Sequence, residues 1–223
     1  MPQYQIITFD VYTALFDIQG SLAPVVTAAL GAVDGPAFVN MWRRKQMEYV
    51  LISNALGQGR VAFSTITRRA LDYTLAQTGA TADEDRRREL TAAWLSLRPW
   101  PEAADVLTAV KARGYTIGLL SNGDSAMLHA LLAALPPVVS HVFASEEAGH
   151  YKPHPAVYAL PLQALRLAPT DLLHVAGSAT DVMGTKAAGL PCLWSNRAGE
   201  RVLDPALQPD YTFANLRGVL EIL

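Results

Sequence analysis

The apolar positions along the chain follow two different rhythms. The first run, Tyr4–Phe9, is short, apolar and β-branched, and it ends on a carboxylate, Asp10. This pattern predicts a buried strand. From about Ser21 to Ser96 only helical spacing is present. In 37–56 the residues Phe38, Met41, Trp42, Lys45, Tyr49 and Ile52 recur at intervals of three and four. Segments 63–79 and 84–97 keep the same period and are closed by Gly or Arg-Pro.

From Pro101 short strands alternate with helices. Strands are predicted at 115–121, 141–145, 172–178, 191–196 and 211–215. Helices are predicted at 103–113, 125–135, 156–167 and 181–188, with one more at the C-terminus. Apolar strands separated by helices imply an α/β fold, a Rossmann-like parallel sheet covered on both faces. The first strand lies too far from the second for one crossover helix. The expectation is therefore a core built from 1–16 and 97–223, with 17–96 inserted as a helical cap domain.

Composition narrows the function classes. Of 223 residues 51% are hydrophobic and the formal net charge is −2. Both signs are scattered, which argues against a nucleic-acid footprint and against a polybasic membrane patch. No apolar stretch is long enough to span a bilayer. The single cysteine, Cys192, lies in an apolar run and reads as a buried, inert thiol. With no basic leader before a long apolar stretch, the expected location is the cytoplasm.

Ligands of open α/β sheets bind beyond the carboxyl ends of the strands. At those ends stand Asp10; Ser121 and Asn122; Lys152, after the third core strand; and Ser178 and Asp181, after the fourth. Each alone has an ordinary explanation as a turn residue, a helix cap or a solvated charge. Together they predict one polar site at one edge of the sheet.

The order of Asp10, "LLSNG", "YKP" and "GTKAAGLP" resembles the haloacid dehalogenase superfamily, over essentially the whole chain. Most members are Mg²⁺-dependent phosphatases whose first motif is Asp-x-Asp, the second Asp protonating the departing alcohol. That position is Tyr12 here, and no carboxylate lies between Asp171 and Asp181. Halide leaves without a proton, and Asp10 with Asp181 alone would make a thin site for a hard cation. No metal and no cofactor are therefore expected.

Within the superfamily, "DVYTALFD" and "MWRRKQMEYV" resemble the L-2-haloacid dehalogenases. That resemblance implies Asp10 as nucleophile, with Lys152, Asp181 and Arg43 as its catalytic partners. It implies Tyr12, Ser121, Asn122, Phe63, Ser178 and Tyr158 as substrate-binding positions. The implied reaction is hydrolysis of short (S)-2-haloalkanoic acids through an aspartyl ester to 2-hydroxy acids. The implied partner is a small halogenated carboxylate, and an apolar helical stripe on the cap would suit a homodimer, as in relatives. Departures from the pattern fall at Thr13 and Ala14, where the family has Gly and Thr. Others fall at Ala176, Ser178 and Thr180, where it has Ser, Asn and Trp. Two other readings remain open: a Mg²⁺-dependent phosphatase of a small phosphate ester, and a descendant with weak or no catalysis.

Overall fold

A computed structural model describes residues 4–223. The first strand, β1, is Ile6–Phe9. It starts two residues later than the apolar run suggests, and Gln5 instead donates its amide to the Asp171 carbonyl. A π-helical turn, Val11–Leu15, follows Asp10 and leads through β2, Phe16–Asp17, to four helices. These are α1 (Ile18–Leu30), α2 (Gly35–Leu56), α3 (Phe63–Thr78) and α4 (Glu84–Ala92). A two-residue strand β3, Arg98–Pro99, pairs antiparallel with β2 and brings the chain back beside the point where it left.

The remainder alternates. The elements are α5 (Ala103–Ala112), β4 (Thr116–Ser121), α6 (Ser125–Leu132), β5 (His141–Ala144) and α7 (Pro155–Leu165). They continue with β6 (Leu172–Ala176), α8 (Ala179–Ala187), β7 (Cys192–Ser195), β8 (Tyr211–Phe213) and a last turn α9 (Val219–Ile222). The six core strands run parallel in the order β5-β4-β1-β6-β7-β8. The chain goes to one side of β1 with β4 and β5, and to the other with β6 to β8. The end of β1 is thus the crevice where strand order reverses, which is where such sheets hold ligands.

Local chemistry explains the helices. Asp34 caps α2, its side chain accepting from the Ala37 amide, and Gly57 closes the helix in the left-handed conformation. Phe38, Trp42, Gln46 and Val50, four residues apart, form its buried face. One carboxylate ties the helical segment to the sheet. Asp124, at the start of α6, accepts from the Phe63 and Ser64 amides, the Ser64 hydroxyl and Arg60. A core side chain therefore caps α3, which has no cap of its own.

Gly177, just after β6, lets the π-helical turn come close. A Cβ there would stand 2.3 Å from the Ala14 nitrogen and 2.4 Å from the Thr13 carbonyl carbon. Backbone cannot yield as a flexible side chain would. Gly177→Ala is expected to destabilise the protein by about 1–3 kcal/mol, read as a lower urea midpoint at unchanged slope. An unchanged midpoint would mean that the turn has room to retreat.

Candidate active site

Asp10 inherits its place from β1, whose four residues are all buried. Its own amide donates to the Val175 carbonyl of β6, so the main chain is held on the strand ladder up to the carboxylate. One carboxylate oxygen, Oδ2, accepts from the Thr13 amide at 3.0 Å and from the Thr13 hydroxyl at 2.6 Å. The other, Oδ1, lies 3.4 Å from Lys152 Nζ. The π-helical turn is what carries the Thr13 hydroxyl back to the carboxylate. Ala14, the position where the family has its hydroxyl, is buried and has none to offer.

Lys152 Nζ stands between two carboxylates. It lies 2.9 Å from Asp181 Oδ2 as well as 3.4 Å from Asp10 Oδ1. Asp10, Lys152 and Asp181 are only 8%, 5% and 4% exposed. Asn122 fixes the lysine's main chain, its Oδ1 accepting from the Lys152 amide at 2.8 Å.

Two further groups approach Asp181. Tyr158 donates its hydroxyl to Oδ1 at 2.8 Å, and His174 Nε2 lies 3.0 Å from Oδ2. Burial alone would raise the Asp181 carboxyl, but Lys152 and His174 outweigh it and hold it well below the usual carboxylate range. Tyr158 reaches Asp181 over Gly184, where a Cβ would meet the phenol oxygen at 2.3 Å.

A cavity of about 240 Å³ opens above these groups. Asp10, Lys152 and Asp181 line it together with Tyr12, Arg43 and Asn122. Met47, Val50 and Leu51 of α2 give it an apolar wall; Thr13, Ser178, Thr180 and Glu200 contribute the remaining polar lining. Arg43 Nη1 donates to Gln46 Oε1 at 2.6 Å, and Gln46 is tied to Thr67 of α3. No carboxylate lies within ion-pair distance of Arg43 among the described residues. Burial lowers the Arg43 pKa while Asp10 opposes the shift. A guanidinium remains charged even so, leaving a half-buried cation open to an anion.

Tyr12 is wholly buried, and its hydroxyl has no hydrogen-bond partner among the described residues. Burial pushes the phenol far above its ordinary range. Phe63 packs against the Tyr12 ring, centroids 5.2 Å apart, rather than forming the cavity wall. Ser121 is also behind the wall, its hydroxyl 3.4 Å from the Gly123 amide. Tyr158 too lies outside the lining, beneath Asp181. Of the ten candidate residues, seven line the cavity and these three stand behind it.

Thr13 could supply the hydroxyl that Ala14 lacks only if the turn after β1 were reshaped, and the π-helical turn does so. One polar partner escapes a reading of the sequence: His174, in the middle of apolar β6, wholly buried and 3.2 Å from Lys152 Nζ. A larger and more open groove, about 360 Å³, lies between α3, α4 and α6. Its carboxylate, Asp124, is already taken up by the four donors named above, so the groove has no free nucleophile. Among the described residues no three His, Cys, Asp or Glu side chains are gathered to hold a metal ion. The two carboxylates at the cavity floor share an ammonium instead.

Known proteins resemble this chain over nearly its whole length. The model of the haloacid dehalogenase-like hydrolase family matches residues 4–189. Haloacetate dehalogenase H-2 of Moraxella sp. (strain B) is 30% identical over all of this chain and 99% of its own. The (S)-2-haloacid dehalogenase of Pseudomonas sp. (strain YL) is 33% identical over 97% of this chain and 93% of its own. The solved L-2-haloacid dehalogenase of Xanthobacter autotrophicus, with chloropropionic acid covalently bound, superposes with a TM-score of 0.86 at 26% identity. That match covers 98% of this chain and 97% of the other. This chain belongs to the haloacid dehalogenase-like hydrolase family.

Proposed function

We propose that this protein hydrolyses the carbon–halogen bond of short (S)-2-haloalkanoic acids, giving 2-hydroxy acids, with Asp10 as the nucleophile. The observation that carries the reading is the pairing of two groups in one cavity. A carboxylate stands beside the Lys152 ammonium, and a half-buried guanidinium, Arg43, lacks an ion-pair partner among the described residues.

Thr13 occupies Oδ2, so Oδ1 is the oxygen free to attack C2 of the substrate. The new C–O bond forms as the carbon–halogen bond breaks on the opposite side, which inverts C2. The departing halide takes up charge in a water-poor site, where Arg43 stabilises it more than it would in bulk water. No proton is needed, which suits a phenol, Tyr12, at the position where phosphatases of this superfamily carry an acid. Tyr12, Asn122 and Ser178 shape the substrate subsite with Met47 and Val50, and Ser121, Phe63 and Tyr158 support it from behind.

Water then adds to Cγ of the Asp10 ester and frees the product, Asp181 and Lys152 orienting that water. Asp10 and Asp181 share the Lys152 ammonium, which supports a reaction without metal or cofactor. In this reading residues 17–96 act as a cap over a core of 1–16 and 97–223, of which 1–3 lie outside the described residues. A homodimer would cover Ile52 and Leu56, exposed on α2. Cys192, the lone and buried cysteine, asks for no oxidising compartment, in keeping with a cytoplasmic enzyme.

Halide release from chloroacetate and (S)-2-chloropropionate tests the proposal. Release is expected to persist in EDTA and to fall below detection in Asp10→Asn. Metal-dependent phosphate release from a generic phosphate ester, without halide release, would overturn it. Thr13→Ala removes a charge-assisted hydrogen bond worth about 1.5–3 kcal/mol. It is therefore expected to lower kcat about 10- to 100-fold in the same assay, with KM little changed. A wild-type kcat would mean that the Thr13 amide suffices to orient Asp10.

A further inference from the structure

We propose that His174 is the residue that holds the proton of the attacking water during hydrolysis of the Asp10 ester, acting through Asp181. The inference rests on the function proposed above and concerns its second half-reaction.

His174 sits in β6, which pairs with β1 on one side and β7 on the other. A central strand buried on both faces is an uncommon place for an imidazole. Both ring nitrogens nevertheless have partners. Nδ1 lies 2.9 Å from the Thr8 hydroxyl, while Nε2 lies 3.0 Å from Asp181 Oδ2 and 3.2 Å from Lys152 Nζ. Two consistent arrangements exist. With the proton on Nδ1, the ring donates to Thr8 and Nε2 accepts from Lys152. With the proton on Nε2, Thr8 donates to Nδ1 and the ring donates to Asp181. Thr8 can act as acceptor or donor, so the ring can gain a proton on Nε2 without leaving either nitrogen unpaired.

Ester hydrolysis creates the need for such a group. When water adds to Cγ of Asp10, one of its protons must leave. Asp181 lines the cavity and receives it first, but a carboxyl held well below its usual range is a poor place for a proton to stay. Across 3.0 Å stands a neutral imidazole. Burial and the neighbouring Lys152 keep its pKa below the ordinary 6.5, so the ring is free to accept at neutral pH. The charged and titratable groups around it are few. They are Asp10 at the end of β1, Lys152, Asp181 on α8, Tyr158 on α7 with its ring edge-on at 6.1 Å, and Cys192 opposite on β7.

The proton moves from water to Asp181 and on to His174 Nε2, giving an imidazolium beside the Asp181 carboxylate. The bond between Cγ and the substrate-derived oxygen then breaks. The stored proton returns through Asp181 to that oxygen and becomes the hydroxyl proton of the 2-hydroxy acid. The second proton of the water leaves to solvent from the reformed Asp10 carboxyl. One water is consumed and one proton is released per turnover, alongside the halide already expelled.

His174 touches no substrate, so the test must separate proton storage from mere support of Lys152. Rapid-quench halide release from (S)-2-chloropropionate is compared in the wild type, His174→Phe and His174→Gln. In the variants a halide burst of one per active site is expected to remain. The following steady state should slow about 10²-fold, with the esterified enzyme accumulating in intact-mass spectra. In the wild type an acid limb is expected in steady-state turnover below pH 6.5, because a protonated ring cannot accept; that limb should vanish in His174→Gln.

Equal slowing of burst and steady state would overturn the proposal and leave His174 a structural support. So would an unchanged steady state, or an acid limb that survives in His174→Gln. If neither variant folds, the pH profiles of the two phases in the wild type decide: the limb must fall on hydrolysis and not on the burst. A wild type that releases no halide at all would instead strike the function on which this inference rests.

Discussion

One ammonium between two carboxylates organises this molecule. Lys152 Nζ bridges Asp10 and Asp181 at a site from which water is almost excluded. Burying any one of these charges alone would be costly. Removing one partner from such a buried set typically costs about 3–5 kcal/mol, because the others remain desolvated. The surrounding hydrogen bonds make the arrangement tolerable. Thr13 serves Asp10, Tyr158 and His174 serve Asp181, and Asn122 holds the main chain of Lys152. The cation that stabilises the folded site is also the one that stands against the proposed nucleophile, so stability and the proposed reactivity share an origin.

The fold exists to deliver that convergence. β1 ends at the point where strand order reverses, so its last residue faces an open crevice. Neighbouring strands end at the same level and present the segments that carry Asn122 and Asp181. Gly177 allows the π-helical turn to sit against the end of β6 and return Thr13 to Asp10. On the far side, Asp124 caps α3 and anchors Arg60, which also reaches the Asn122 carbonyl and the Ser145 hydroxyl. Through this join α3, and with it the neighbouring α2 that carries Arg43 and Met47, is registered to the floor of the cavity, which matters for the proposed in-line displacement.

Much of this was legible in the chain. The two rhythms of apolar residues announce a helical segment interrupting a parallel sheet, and polar residues at successive strand ends announce the site. Asp10, Lys152, Asp181 and Arg43 are found by those means together with the family resemblance. His174 was not, because a histidine inside an apolar run carries no periodic signal and gains meaning only when β6 lies beside β1. Thr13 was legible as a partner of Asp10 only on the condition of a reshaped turn, because local spacing does not encode the π-helical geometry that brings its hydroxyl to the carboxylate. Ser121, Phe63 and Tyr158 are at the site but not on the cavity wall, a matter of side-chain direction that strand-end position leaves open.

The central claim is that the carboxylate of Asp10 itself makes the new bond to carbon. A single turnover in heavy-oxygen water, with enzyme in excess over (S)-2-chloropropionate, tests it most directly. Mass spectrometry of the peptide containing Asp10 should find one heavy oxygen in that residue, and the 2-hydroxy acid should contain only ordinary oxygen in its new hydroxyl. Heavy oxygen in the product hydroxyl after one turnover, with none in Asp10, would show that water attacks carbon directly and would contradict the account.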